Sequence, residues 1–175
     1  MMLHFILALV AATQLAMAFP TDKAPMAMVK TILDTQFCVM PEEFVVKNFQ
    51  VWTPDAGNNR SAIINFNYSD DDTHIDTKCQ FNETSVNVGP EGLTPRYACD
   101  NKLVEFIWEN GTLTMVERDC PLETLNRPYE VAGTITPMLT CLASAQNSTM
   151  GAGNSCWSRP KVMAAVFISL EPTPN

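Results

Sequence analysis

Two carboxylates, Glu105 and Glu109, flank Trp108 and raise the question of glycoside hydrolysis. Glycosidases use such a pair, one as general acid and the other as nucleophile or general base. In an extended strand, however, both glutamates point to the face opposite Phe106 and Trp108. We therefore expect them on the outer face of the fold, and polysaccharide hydrolysis is an alternative interpretation, not the leading one.

Nucleophilic and metal chemistry have less support. Beyond residue 18 the only histidine is His74, in the polar stretch DDDTHID at residues 70–76, and no serine lies in a nucleophile elbow. The carboxylates of this stretch could bind Ca²⁺, but the glycine and closing glutamate of the known calcium loop are missing. The sequence therefore predicts no catalytic residue, no cofactor and no metal site, and the protein is not expected to be an enzyme.

The cysteines are the other reactive side chains. There are six, an even number, and all lie downstream of an apolar leader: Cys38, Cys79, Cys99, Cys120, Cys141 and Cys156. In an oxidising compartment paired thiols persist, so an even count in an exported chain predicts a disulfide framework. The residues alone do not choose among the connectivities.

The leader predicts export. Residues 3–15 are almost uninterruptedly apolar and are followed by Ala16-Met17-Ala18, which is typical of a signal peptide spanning residues 1–18. No later apolar run is long enough to span a bilayer. We expect an N-terminal arm or pro-segment at residues 19–36, one β domain at residues 37–170 and a short tail at residues 171–175. The predicted location is extracellular.

Five glycosylation sequons agree with a secreted glycoprotein. Their asparagines are Asn59, Asn67, Asn82, Asn110 and Asn147. Any asparagine that carries a glycan must face solvent. The formal net charge is −8, which disfavours nucleic acid and anionic membranes as partners because both require clustered lysine and arginine.

The hydrophobic period is two along most of the chain, so the expected class is all-β. Strands are predicted at residues 44–52, 62–68, 77–81, 96–99, 130–136, 139–142 and 161–170. In residues 62–68 the alternation places the apolar side chains inward and Asn65 and Asn67 outward. Short helical turns are expected at residues 29–35 and around residues 140–145.

The sharpest local signal is a hairpin at residues 103–116. Asn110-Gly111 at its centre suits a two-residue type I′ turn, which requires positive φ at both positions. In that register Trp108 faces Leu113, and Phe106 faces Met115 on the same side. These four side chains are predicted to form part of the core.

Two other tryptophans lie near predicted strand ends. Trp157 follows Cys156 directly and is predicted to fill the core over a disulfide. For Trp52, core packing and an exposed binding anchor are both open.

The strand and cysteine pattern resembles a known family. The matching segments are FVVKNF at residues 44–49, IINF at 63–66, VEF at 104–106 and LTM at 113–115, with Cys79, Cys99, Cys141 and Cys156. Over residues 38–170 the chain resembles the Alternaria major-allergen-like family of small secreted fungal proteins. The resemblance implies a compact antiparallel β-barrel or sandwich stapled by disulfides, no catalytic centre, and a role as allergen, elicitor or effector.

The resemblance also implies a disulfide pairing: Cys79 with Cys99, and Cys141 with Cys156. This leaves Cys38 and Cys120. In well-known relatives a cysteine at the position of Cys38 bridges two subunits, but here Cys120 offers it a partner in the same chain. We expect the intrachain bridge, while the oligomeric state stays open between monomer and homodimer.

The leading functional hypothesis is a secreted, non-enzymatic fungal β-barrel protein that acts as an effector, elicitor or allergen-like binding protein. Its partner would be a host or cell-wall component, with neither nucleic acid nor membrane involved. The alternatives are a small secreted polysaccharide hydrolase and a structural glycoprotein of the cell wall.

Overall fold

The structure is a computed structural model that describes residues 40–119, 129–145 and 149–173. Within these ranges the chain forms eleven antiparallel strands and no helix, so the predicted all-β class is confirmed. The helical turn expected around residues 140–145 is wrong, because those residues pair as a strand. The leader, the N-terminal arm, the expected turn at residues 29–35, Cys38, Cys120 and Asn147 lie outside the described residues.

The strands are short and separated by turns, as expected for a chain that glycine and proline residues interrupt repeatedly. They are β1 (Glu43–Pro54), β2 (Ile63–Asp70), β3 (Ile75–Phe81), β4 (Tyr97–Ala98), β5 (Val104–Glu109), β6 (Thr112–Asp119), β7 (Tyr129–Ile135), β8 (Leu139–Ser144), β9 (Gly153–Ser158), β10 (Val162–Val166) and β11 (Ser169–Pro172).

These strands form two sheets. The first sheet has the order β3-β2-β1-β9-β8, with β10 also paired to β1, and the second has the order β11-β7-β6-β5-β4. Each sheet buries one face, and the core lies between them. The sheets do not close into a continuous barrel, so the fold is a sandwich.

A bulge in β1 allows this strand to serve two partners on one edge. Asn48 has a φ of 55°, and the pairing with β2 shifts between Lys47 and Gln50. Before the bulge β1 pairs with β10, and after it with β9. Asparagine tolerates positive φ better than most residues, which suits it to this position.

The core follows the predicted alternation. Phe66 of the first sheet meets Phe106 of the second edge-on at 5.1 Å between ring centroids, and Phe49 lies 4.9 Å from Trp108. Such aromatic contacts add to the burial of apolar surface that drives the sheets together. Ile64 and Tyr68 are buried beside Phe66 on β2, as the inward alternation of that strand requires.

The predicted hairpin is confirmed. Phe106 pairs with Met115 and Trp108 with Leu113, and the turn residues have φ values of 52° for Asn110 and 78° for Gly111. Elsewhere one expectation is wrong, and one strand was not predicted. Residues 161–170 are not one strand but β10 and β11, which belong to different sheets, and β9 was not predicted because its sequence GNSCWS has the composition of a turn.

One edge of the sandwich is joined by a disulfide. Cys79 of β3 and Cys99, just after β4, are bonded, and beside them the Asp100 N–H donates to the Lys78 carbonyl at 2.8 Å. Cys141 and Cys156 are also bonded, but they link the neighbouring strands β8 and β9 of the first sheet. These are the two pairs that the family resemblance implies.

The opposite edge is joined by the chain itself. Between β10 and β11 the Phe167 N–H donates to the Glu42 carbonyl at 2.9 Å, and the Ile168 N–H donates to the Ala132 carbonyl at 2.8 Å. Gly133 permits this crossing, since a Cβ there would lie 2.5 Å from the Val166 carbonyl oxygen. The chain thus leaves the first sheet after β10 and completes the second sheet with β11.

We predict that the two disulfides contribute unequally to stability. Replacing Cys79 and Cys99 together by alanine should lower the free energy of unfolding by about 3 kcal/mol, the chain-entropy value for its loop. The matched double variant of Cys141 and Cys156 should lower the free energy of unfolding by less, because the β8–β9 hairpin at the exposed edge can open without separating the sheets. Urea denaturation of both variants measures the difference, and equal losses would contradict it.

Candidate functional site

Four charged side chains meet on the outer face of the second sheet. This charge cluster consists of Arg96, which precedes β4, Glu105 of β5, Arg118 of β6 and Glu130 of β7. Arg118 and Glu130 are directly opposite each other in the sheet, whereas Glu105 lies diagonal to Arg118. Side chains in such positions on neighbouring strands are within reach of each other.

Each carboxylate of the charge cluster contacts both guanidiniums. Arg96 Nη1 lies 2.8 Å from Glu130 Oε2 and 3.8 Å from Glu105 Oε2. Arg118 forms an ion pair with Glu105 Oε1, and its Nε lies 3.4 Å from Glu130 Oε1. Two positive and two negative charges therefore neutralise one another at close range.

A loop covers the charge cluster from outside. Val88, Gly89 and Pro90 line a cleft of about 230 Å³ over it. The backbone N–H of Arg96 donates to Asn87 Oδ1 at 2.9 Å, and a Cβ at position 89 would lie 2.9 Å from Arg96 Cγ. Glycine at position 89 thus allows the loop to pack on the arginine stem.

This cover changes the environment of Glu105. The residue lies on the outer face, as predicted, but only 2% of its surface is exposed. Burial raises the pKa of its carboxyl, and the nearby Arg118 guanidinium opposes that rise. Glu109, four residues along the strand, is exposed and is no part of the charge cluster. The structure therefore does not bring Glu105 and Glu109 together as a catalytic pair.

We predict that Glu105 stabilises the fold and that Glu109 does not. Glu105→Gln should lower the free energy of unfolding by about 2 kcal/mol, because it leaves two partly buried guanidiniums with one carboxylate. Glu109→Gln, the same change on the same face of the same strand, should alter it by less than about 0.5 kcal/mol. Urea denaturation compares them, and a neutral Glu105→Gln would show that the charge cluster adds no stability.

A second group of carboxylates lies inside the sandwich. The Tyr68 hydroxyl donates to Glu117 Oε2, and Glu117 is fully buried on β6. Asp70, two residues beyond Tyr68, is also buried, and its Oδ1 accepts the backbone N–H groups of Asp72 at 2.8 Å and Thr73 at 3.1 Å. The polar stretch at residues 70–76 is therefore anchored by one of its own carboxylates.

Burial controls the ionisation of these groups. It raises the pKa of Glu117 to about 7, although the Tyr68 hydroxyl bond favours the charged form and opposes the rise. Burial likewise raises the pKa of Asp70, against the backbone amides of Thr73 and Asp72 that lower it. The pKa of Tyr68 is raised by burial and by Glu117, so Tyr68 stays a hydrogen-bond donor.

We predict a loss of stability as the pH rises from about 4.5 to 7. In this interval folded Glu117 holds a proton that the unfolded chain has released, so the free energy of unfolding falls with increasing pH. The change due to Glu117 is on the order of 3 kcal/mol. Glu117→Gln removes the titrating group and should flatten the curve. Urea denaturation from pH 4 to 8 tests this, and parallel curves for both proteins would contradict it.

The remaining candidates from the sequence are placed as follows. His74 is exposed in the turn between β2 and β3, with a φ of 57°. Among residues 40–119, 129–145 and 149–173 no three histidine, cysteine or acidic side chains converge as a metal site would require. No helix in these ranges is long and apolar enough to cross a membrane.

The outer face of the first sheet carries a different chemistry. Gln80 of β3, Asn65 of β2 and Gln50 of β1 lie side by side in register, and Trp157 of β9 follows Gln50. We call the three amides the amide row. All three are exposed, and none forms a side-chain hydrogen bond with another described residue.

Two shallow clefts meet at the amide row. One of about 180 Å³ lies between Gln50, Asn65 and Gln80, with Asn48, Asn67 and Lys78 around it. The other, of about 230 Å³, lies between Gln50, Asn65 and Trp157. Gln50 and Asn65 line both clefts, and the strand residues of the two clefts come from four strands. We call the two clefts, with the amides between them, the groove.

The two tryptophans differ from expectation. Trp157 is half-buried on the outer face and is not part of the core, so its predicted core packing over the disulfide is wrong: Cys156 and Trp157 point to opposite faces of β9. Trp52 is only 4% exposed, also on the outer face, and its Nε1–H donates to Ser144 Oγ at 3.3 Å. Gly153 makes room for its ring.

Two solved structures resemble this fold. Both are crystal structures of the Alternaria alternata major allergen Alt a 1, and both are 15% identical to this chain. One covers 75% of this chain and 89% of its own with a TM-score of 0.48; the other covers 76% and 95% with a TM-score of 0.46. The resemblance predicted from the sequence is to the same allergen. No family model and no curated protein matches the sequence.

The sequon asparagines within the described residues all reach solvent. Asn59 and Asn110 are exposed, and Asn110 is at the hairpin tip, whereas Asn67 and Asn82 are half-buried. Asn82 Oδ1 accepts hydrogen bonds from the backbone N–H of Thr84 at 2.9 Å and from its hydroxyl at 2.7 Å. Glycosylation at these positions stays a prediction.

Proposed function

We propose that this chain is a secreted, non-enzymatic protein of the allergen or effector type that binds a host or cell-wall component through the outer face of its first sheet. The observation that carries the proposal is the groove along the amide row. Its amides are exposed and form no side-chain hydrogen bond with the part of the chain that the structure describes, and the half-buried indole of Trp157 lies at its end. Exposed polar groups beside an aromatic ring are typical of recognition surfaces.

The hydrolase alternative receives less support from the described residues. A general acid and a general base need carboxylates that reach the substrate, but Glu105 and Glu130 are almost fully buried and are paired with arginines. Glu117 is enclosed in the core. Among residues 40–119, 129–145 and 149–173, no carboxylate lines the groove along the amide row.

Secretion is supported by the leader, the sequons and the two disulfides, since disulfides persist in oxidising compartments. A structural wall glycoprotein shares these properties. Retention of a structural glycoprotein in the wall, however, would depend on its surface as a whole and not on one groove.

We predict that the secreted full chain is retained by insoluble cell-wall material and that Gln50→Ala weakens the retention about threefold or more, as expected for the loss of a hydrogen bond. Gln80→Ala should act in the same direction. Thr134→Ala, an exposed change on the outer face of the second sheet, is the control and should leave retention unchanged.

The same experiment separates the alternatives. Retention that is equal in all variants would favour the structural glycoprotein over the binding protein. Release of reducing sugar from the wall material would overturn the non-enzymatic assignment.

A further inference from the structure

We propose that the amide row binds an extended, electrically neutral oligosaccharide chain. The inference rests on the proposed function and names the chemical class of its ligand. It depends on four properties of the groove: the hydrogen-bonding character of its side chains, their spacing, the aromatic ring at one end and the charge around it.

The side chains of the amide row match sugar hydroxyls. Each primary amide has a carbonyl oxygen that accepts and an NH₂ group that donates hydrogen bonds, and each sugar hydroxyl does both as well. Gln50, Asn65 and Gln80 use none of this capacity on other described residues. Replacing water on three such groups by hydroxyls of one ligand exchanges hydrogen bonds without burying a charge.

The spacing of the amide row suits a chain molecule. Neighbouring strands are about 4.8 Å apart, so the positions from Gln80 to Trp157 span roughly 14 Å. One sugar ring in an extended chain is about as long as the distance between two strands. Each cleft alone is smaller than a typical pocket for a small molecule, but the two lie side by side along Gln50 and Asn65. A shallow groove open along its length holds a segment of a polymer better than a compact molecule.

Trp157 gives the groove one apolar surface. Its indole is half-buried and lines the second cleft beside Gln50. The face of an aromatic ring carries partial negative charge. The C–H bonds on one side of a sugar ring carry partial positive charge and pack well on it. The groove thus offers polar contacts to the edge of a sugar and an aromatic contact to its face.

Charge favours a neutral ligand over an acidic one. The amide row contains no ionisable group, and the whole chain has a net charge of −8, which repels polyanions. Lys47 and Lys78 lie on either side of Asn67 in the next row of the sheet. They are the groups that an acidic polysaccharide would use, so they provide the control.

The sequon at Asn67 must be removed before binding is measured, because a glycan there would lie beside the groove. Asn67 lines the first cleft, and replacing it would change the groove itself. Ser69→Ala abolishes the sequon and leaves the Asn67 side chain in place. Ser69 is 8% exposed, so a change from serine to alanine keeps its packing.

The test uses the full secreted chain carrying Ser69→Ala and isothermal titration with three neutral hexasaccharides, of the cello-, chito- and manno- series, and with polygalacturonate. We expect at least one neutral hexasaccharide to bind. Adding Gln50→Ala or Asn65→Ala should weaken it about threefold to tenfold, and Trp157→Ala about tenfold or more. Because Gln50 and Asn65 are exposed, their variants test the groove even if Trp157→Ala fails to fold.

Lys47→Gln, at a residue that lines neither cleft, should leave binding of the neutral hexasaccharide within about twofold. Binding of polygalacturonate alone, lost with Lys47→Gln and Lys78→Gln together or with added salt, would overturn the inference in favour of an acidic ligand. Absence of binding to all four probes would overturn it too. If retention on wall material still depended on Gln50 in that case, the proposed function would stand and only the ligand class would be wrong.

Discussion

The joining of the two sheets at both edges is the constraint on which the rest of the molecule depends. A sandwich of this size has one apolar face per sheet, and those faces stay together only if neither edge opens. On one side the Cys79–Cys99 disulfide joins the edges of the two sheets covalently. On the other side the chain passes from β10 to β11, which requires the close approach at Gly133. The bulge at Asn48 makes the crossing possible, because it frees part of the edge of β1 for β10.

Because the inner faces of the two sheets form the core, the outer faces are the parts of the sheets that can contact a ligand. The two outer faces differ in the chemistry of their side chains. The second sheet turns four charges outward, neutralises them among themselves and covers them with a loop. The first sheet turns neutral amides outward and leaves them open. Buried ion pairs are costly to separate, whereas exposed amides exchange water for a ligand at little cost. The outer face of the first sheet is therefore the one that we propose as the binding face.

The sequence predicts those features that depend on neighbours along the chain. Alternation finds the strands that are rich in β-branched and aromatic residues, and Asn110-Gly111 fixes the hairpin register. Alternation does not predict β9, a strand with a glycine and two serines that forms because it pairs with β1 and β8 on either side. Nor does it reveal that Glu105 is buried, since the covering loop is distant in sequence. The amide row joins three strands, so only the sheet register shows it.

The ionisable groups that control the stability of this fold are separate from the groups that we propose for binding. Burial raises the pKa values of Glu117 and Asp70, and both residues are buried and line neither cleft of the groove. The groove in turn has amides and an indole, which keep their charge state at every physiological pH. A change of pH therefore alters the free energy of unfolding without altering the chemistry of the groove. We therefore expect the proposed binding at the amide row to change with pH only where the fold itself begins to unfold.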